Sequence, residues 1–317
     1  MLLALALAAG CGVPAAQAQP SSNRPIRLVV PFGPGGVADL TARSVAQKMS
    51  ESLGQSIVVD NKPGAGGVVA SDTVAKAAPD GHTLLLMSNA NAVSVGLFKS
   101  LPYDTVKDFA PVSMLGYFDL AVLASAEGRF KSLAELLAYA RANPGKLNIG
   151  TINVGSTQNL AGELFKSSLG IDAQVVPFNG TPAVVTALRG GQIDVAVEIL
   201  APVMAQVGGK VLRALAVMGE HRAAGLPDVP TVAESGAPGF QVASWNALAA
   251  PAKTPPEVVA RLNKEANAAL ASPEVRKRLQ DLGVEPKGST PQQQAQLLDA
   301  EIKRWSAVIQ RAGIPQQ

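Results

Sequence analysis

Short β-rich runs that end in a polar, glycine- or asparagine-bearing loop and then give way to a helical apolar pattern recur along this chain, and that order leaves few folds open. Ile26-Arg27-Leu28-Val29-Val30 ends at Pro31 and leads into Phe32-Gly33-Pro34-Gly35-Gly36, followed by Leu40, Val45, Met49 and Leu53 at helical spacing, with Gly54 as the stop. Ile57-Val58-Val59 leads into Asn61-Lys62-Pro63-Gly64-Ala65-Gly66-Gly67 and an alanine-rich helix, and Thr83 to Met87 leads into Ser88-Asn89-Ala90-Asn91.

A second series of the same design begins after Asn143-Pro144-Gly145. Leu147-Asn148-Ile149-Gly150 meets the loop Thr151 to Thr157 and a helix carrying Leu160, Leu164 and Phe165. Val175-Val176-Pro177 meets Phe178-Asn179-Gly180-Thr181-Pro182, a helix to Leu188, the Gly190-Gly191 turn and a strand from Ile193 to Val197. Beyond Pro255-Pro256 the chain is mostly helical, with Val258, Val259, Leu262, Ala266 and Leu270 on one face. A last helix runs through Leu297, Leu298, Ile302, Trp305 and Ile309, and both helices read as packing rather than chemistry. Alternating strands and helices predict an α/β fold with parallel sheet, in which ligands bind beyond the carboxyl ends of the strands, where these loops lie.

With 317 residues, 47% of them hydrophobic, the chain can bury the cores of two domains. Its net charge of +3 comes from 27 basic and 24 acidic residues scattered without a basic run, which argues against nucleic acid as a partner. Leu2 to Ala9 is apolar and Ala16-Gln17-Ala18 has the small-x-small form that a signal peptidase cuts, so residues 1–18 read as a signal peptide and the product as exported to the periplasm. No Lys or Arg precedes that apolar run, the pattern of a start placed too far downstream. The single cysteine, Cys11, follows Ala8-Ala9-Gly10. It either is discarded with the signal or carries a lipid anchor, and in the first case the mature chain has no disulfide, thiolate metal site or cysteine nucleophile.

Glycines at a strand-to-helix turn leave backbone N–H groups bare at the positive end of the helix dipole, a place suited to a carboxylate. Phe32, Gly33, Pro34, Gly35 and Gly36 form the first such loop. Thr151, Asn153, Gly155, Ser156 and Thr157 form another, with hydroxyl and amide groups able to hold a carboxylate or its bridging waters. For any one loop, a tight connection or ordinary helix capping explains the residues equally well, and it is their repetition at strand ends that favours a site. Asp39, one turn into the first helix, either orients a ligand amine or favours the positive helix end.

Gly33 to Ala38 also fits the dinucleotide fingerprint G-x-G-x-x-A, with Asp60 at the end of the next strand. Pro34 stiffens that turn and an exported protein rarely meets free NAD, so an oxidoreductase is the weaker alternative. His82 and His221 have no ligands spaced beside them for a metal. The nearest approach to a hydrolase elbow, Ala92-Val93-Ser94-Val95-Gly96, lacks its first glycine, so no catalytic set and no cofactor is expected.

PIRLVVPFGPGG, NKPGAGG, APDGHTLL, LPYDTVKDFAPVS, PGKLNIGT, LAGELFK, GGQIDV, LRALAV, LPDVPTVAESG and the Trp245 region follow one another from Arg24 to Ile314. In that order and spacing they resemble the extracytoplasmic solute receptors of tripartite tricarboxylate transporters, the Bug-type family. The resemblance implies a type II periplasmic-binding-protein fold, two α/β lobes with a ligand cleft between them and two crossovers near Asp119 and Gly225. Residues 24–119 and 226–317 would form one lobe and 120–225 the other.

By the same resemblance, Phe32 to Gly36 and Thr151 to Thr157 hold the ligand from opposite sides, while Ser88, Asn89 and Asn91 and Phe178, Asn179 and Gly180 line the cleft walls. The chain departs from the usual family pattern at Val37, Asn159 and Glu198, positions that bear on ligand choice. The implied function is that of a monomeric, non-enzymatic receptor. It would bind a dicarboxylate, tricarboxylate or aromatic acid and pass it to integral-membrane transporter subunits, or signal to a membrane partner through the same cleft.

Overall fold

A computed structural model describes residues 24–317, so the signal segment and Cys11 lie outside the described residues. The strands are β1 (Ile26–Val30), β2 (Ile57–Asn61), β3 (Thr83–Ser88), β4 (Phe109–Ser125), β5 (Leu147–Ile152), β6 (Ala173–Phe178), β7 (Val195–Ile199), β8 (Leu212–Val217), β9 (Ala243–Pro251) and β10 (Val284–Pro286). The α-helices are α1 (Val37–Leu53), α2 (Val68–Ala75), α3 (Asn89–Leu97), α4 (Leu133–Ala142), α5 (Thr157–Ser168), α6 (Thr181–Arg189), α7 (Met204–Gly208), α8 (Pro256–Ala271), α9 (Pro273–Asp281) and α10 (Pro291–Arg311).

The strand order is β2-β1-β3-β9-β4-β7-β5-β6, with β8 and β10 also on β4. The parallel ladders expected from the alternating pattern are present at both ends, β2-β1-β3 and β7-β5-β6. Between them the pairing is antiparallel, which the alternation did not foretell. β4 is the reason. At 17 residues it runs roughly 55 Å at the usual rise, long enough to serve two ladders. It pairs with β9 from Phe109 through Asp119, and with β7 from Leu120. Register shifts near Pro111, Met114 and Val122 bend it along the way. At Gly116 the backbone of β10 presses close: a Cβ there would lie 2.6 Å from the Glu285 carbonyl oxygen, so only glycine admits this strand.

Both faces of the sheet are covered, and the strands alternate accordingly. Ile26, Leu28 and Val30 of β1 and Leu84 and Leu86 of β3 point to a core shared with Ala42, Val45 and Met49 of α1, Leu262 of α8 and Leu279 of α9. Val29, Leu85 and Met87 point to the opposite face, where one core continues past β4 to Ile149, Phe165 and Val195 and includes both tryptophans, Trp245 and Trp305. Ala121, Leu123 and Ala196 face a third core under α6, with Val184 and Leu188. A continuous apolar run in a short strand therefore means burial on both sides. Leu262, Ala266 and Leu270 of α8 are buried as their spacing predicts.

α10 departs from its reading as packing alone. Thr290 and Gln293 start it with a capping box, and Leu298 and Ile309 pack as expected, but Trp305 also donates to Asn89 of α3 and to the buried Glu301 one turn before it. The helical period brings both onto the buried face at i and i+4.

Candidate functional site

The loop between β1 and α1 turns on Gly35, whose φ of 84° lies in the left-handed region. Its N–H donates to Asp39 Oδ2 at 2.9 Å. The Asp39 carboxylate, 1% exposed, also accepts from Arg43 Nε at 2.9 Å and from Asn61 Nδ2 at 2.8 Å. Asn61 in turn donates to the Phe32 carbonyl at 2.9 Å and accepts from Arg43 Nη2 at 3.0 Å. Burial works to raise the Asp39 pKa, but the hydrogen bonds from Arg43, Gly35 and Asn61 outweigh it and hold the group below its ordinary value. Asp39 thus stays ionised and clamps the loop from beneath, with every bond directed to the protein's own groups.

The loop between β5 and α5 repeats this geometry with neutral atoms. Gly155 has φ 79° and donates its N–H to Asn159 Oδ1 at 3.1 Å, again a glycine bonded to the side chain four residues on. Asn159 Nδ2 reaches Thr151 Oγ1 at 3.2 Å, and Ser156 caps α5 by accepting from the Asn159 N–H at 3.1 Å. Asn153 is exposed, Ser156 and Thr157 are half-buried, and Thr151 is buried.

Ser88, Asn89 and Asn91 are all buried, and their bonds are to protein. Ser88 and Asn91 form the capping box of α3, and Asn91 Nδ2 also donates to Ser71 at 2.8 Å. Asn89 Nδ2 donates to Thr157 Oγ1 at 2.9 Å, joining α3 to the start of α5, while its Oδ1 accepts from the Trp305 indole at 2.8 Å. Trp305 also donates toward Glu301 at 2.7 Å.

At the end of β6, Phe178 is half-buried and Asn179 exposed. Gly180 caps α6 with φ 89° and no side-chain hydrogen bond. The first turn of α6 meets that of α5 through Glu198, which accepts from Thr181 Oγ1 at 3.0 Å and from Gln158 Nε2 at 3.3 Å.

The structure therefore joins the loops starting α3, α5 and α6 by side-chain bonds. Among the described residues no hydrogen bond ties Phe32–Gly36 to the other three. Phe32, Gly33, Pro34, Gly35 and Gly36 are exposed. α1 and α6 begin at glycine N-caps without a capping side chain; the first N–H groups of α1 are left for water or an anion, whereas in α6 Pro182 has no N–H and that of Ala183 donates to the Gly180 carbonyl at 3.1 Å, which leaves the N–H of Thr181. The sequence pattern does not mark Arg43, Gln158, Thr181, Glu301 and Trp305 as supports of these loops. For the glycine clamps a signal existed: Gly35-x-x-x-Asp39 and Gly155-x-x-x-Asn159 place a short acceptor at the same offset after a glycine in both series.

Comparison with known proteins places this geometry among relatives. Residues 41–314 match the family described as tripartite tricarboxylate transporter family receptor. The UPF0065 protein in the tcbD-tcbE intergenic region of Pseudomonas sp. strain P51 is 40% identical over 90% of this chain and 86% of its own. Protein BugT of Bordetella pertussis is 38% identical over 92% and 90%. The solved structure of periplasmic binding protein BugD is similar with TM-score 0.79 and 31% identity over 94% of this chain and 100% of its own. An R. palustris protein solved with adipate gives TM-score 0.81 and 35% identity over 93% and 99%. MatC from Rhodopseudomonas palustris, solved with bound malate, gives 0.77 and 37% over 90% and 99%.

Proposed function

As the chain belongs to the tripartite tricarboxylate transporter receptor family, with the mixed α/β fold of its periplasmic binding proteins, we propose that it captures a small carboxylate between the β1–α1 loop and the loops starting α5 and α6. It is a solute-binding transport receptor rather than an enzyme. In this reading residues 24–119 and 226–317 form one lobe, 120–225 form the other, and ligand shifts a hinge equilibrium toward closure. The protein is exported, its leader is removed, and as a monomer it hands the acid to membrane-embedded transporter subunits.

The observation that carries this reading is the exposed, uncapped start of α1 at Gly36, with the uncapped start of α6 at Gly180 beside the loop of α5. α1 presents several bare N–H groups and α6 the single N–H of Thr181, since Pro182 has none and that of Ala183 bonds to the Gly180 carbonyl, each at the positive end of a dipole equivalent to roughly half a unit charge. In the β1–α1 loop Asp39 takes the Gly35 N–H, leaving Gly36 and the following N–H groups as the donors to a ligand. Asp39 itself is then a positioning residue. The relatives solved with adipate and malate make linear dicarboxylates the first cargo to try.

The test is thermal stability of the purified, refolded protein against adipate, malate and other small acids, since a ligand of the native state raises its melting temperature. Gly35→Val should weaken binding about tenfold or more, because a β-branched residue is strained at φ 84°. Gly36→Ala, at φ −78°, should retain the loop and lose less. A folded Gly35→Val protein with unchanged affinity would remove this loop from the site.

A further inference from the structure

Glu198 sits at the carboxyl end of β7 with none of its surface exposed. Both side-chain donors converge on one oxygen: Gln158 Nε2 and Thr181 Oγ1 bond to Oε2, the backbone N–H of Ile199 also acts on the carboxyl group, and Oε1 is buried with no partner at hydrogen-bond distance and angle. A neutral acid suits this arrangement better than a carboxylate, with Oε2 as the accepting carbonyl oxygen and the proton on Oε1. An ionised carboxylate would leave charge on a buried, unpartnered Oε1.

Among the described residues no cation compensates. Ala121 of β4 lies opposite Glu198, and β5 carries no titratable side chain. On α5, Glu163 and Lys166 pair with each other at 3.1 Å, and Arg189 sits in the last turn of α6, at the other end from Thr181. Asp119 and Tyr117 of β4 are coupled to Glu285, with His221 also acting on Asp119 and Glu301 on Tyr117. α7 and the turn before it have no charged residue. Burial accordingly pushes the Glu198 pKa up to about 7.

We propose that Glu198 is a neutral carboxylic acid in the ligand-free receptor, that it positions the first turns of α5 and α6, and that anion capture at those turns is coupled to its proton. The coupling rests on the carboxylate reading above; the protonation does not. A ligand carboxylate beside these helix starts adds negative charge near Glu198 and favours the neutral form further. Above the titration point of the free protein, binding then takes up a proton, and affinity falls by up to about tenfold per pH unit. Asp39, held below its ordinary value, keeps a constant charge through this range.

Carboxyl-carbon NMR of the ligand-free protein, with the resonance identified by its loss in Glu198→Gln, should show a group titrating near neutrality. Titration in the ordinary carboxylate range would overturn the proposal. Dissociation constants of adipate and malate from about pH 6 to about pH 9 should then rise above neutrality in the native protein and stay level in Glu198→Gln, which keeps an oxygen for both donors. Calorimetry of the native protein in buffers of different ionisation enthalpy should register proton uptake, a readout that does not depend on the variant folding. A protein that binds either acid with a level profile and no proton uptake refutes the coupling. Failure of both acids to bind counts against the carboxylate reading, and the ligand-free titration still decides the state of Glu198.

Discussion

Replacing Glu198 by glutamine should change how stability depends on pH before any ligand is added. The folded-state pKa of about 7 lies above the ordinary 4.5 of an unfolded glutamate. The folded state binds the proton more tightly, so the contribution to stability is complete below about pH 4.5 and is lost as pH rises through about 7. A difference of roughly 2.5 pKa units corresponds to about 3 kcal/mol. The side chain is fully buried, so water does not screen it. Glutamine cannot ionise, so the stability of Glu198→Gln relative to the native protein should improve by about 3 kcal/mol between acid and mildly alkaline pH, a relative rise in Tm of about 6 °C. Urea unfolding of both proteins across this range measures it, and the comparison cancels every group the two share. A stability difference that stays constant with pH would refute the reasoning, whatever its size.

Two further expectations concern the contacts that join the loops. Gly155→Ala places a methyl 2.3 Å from Leu97 Cδ2 at a backbone φ of 79°, and should destabilise by about 1–3 kcal/mol in urea unfolding, with part of the loss recovered in the double variant with Leu97→Ala. Trp305→Phe keeps the ring packing but strands Asn89 Oδ1 and Glu301 Oε2, and should cost about 1–3 kcal/mol while leaving a folded protein by near-ultraviolet circular dichroism. An unchanged unfolding midpoint would show that neither acceptor depends on the indole.

Much of the fold could be read from one-dimensional pattern. β1 is found at Ile26–Val30 as expected, and β2, β3, β5 and β6 contain their predicted runs, because each is a short apolar run closed by a turn signal. β7 is displaced to Val195–Ile199 from the expected Ile193–Val197, the apolar run continuing to Ile199 with only Glu198 interrupting it. β4 and β9 carry no local strand signal of this kind, because their partners lie far along the chain. β4 reads Phe109-Ala110-Pro111-Val112-Ser113, with a proline and later Gly116 that look like loop, and only bulges against β9 and the close approach of β10 make them strand.

The sequence by itself determined which positions could be turns, helix starts and buried faces, since glycine conformational freedom, proline geometry and apolar period act over a few residues. It also identified the loops proposed to receive the ligand, through glycines placed where strands end. Tertiary structure alone decided the partners of the polar groups: Asp39 with Arg43 and Asn61, Asn89 with Thr157 and Trp305, and Glu198 with Gln158 and Thr181. Except for the Asp39–Arg43 pair these bonds cross between elements, and whether a carboxyl group is charged depends on the donors and solvent around it in space. Asp39 and Glu198 carry the same carboxyl group, but hydrogen bonds from Arg43, Gly35 and Asn61 keep the first ionised, while burial without a cation favours the proton on the second.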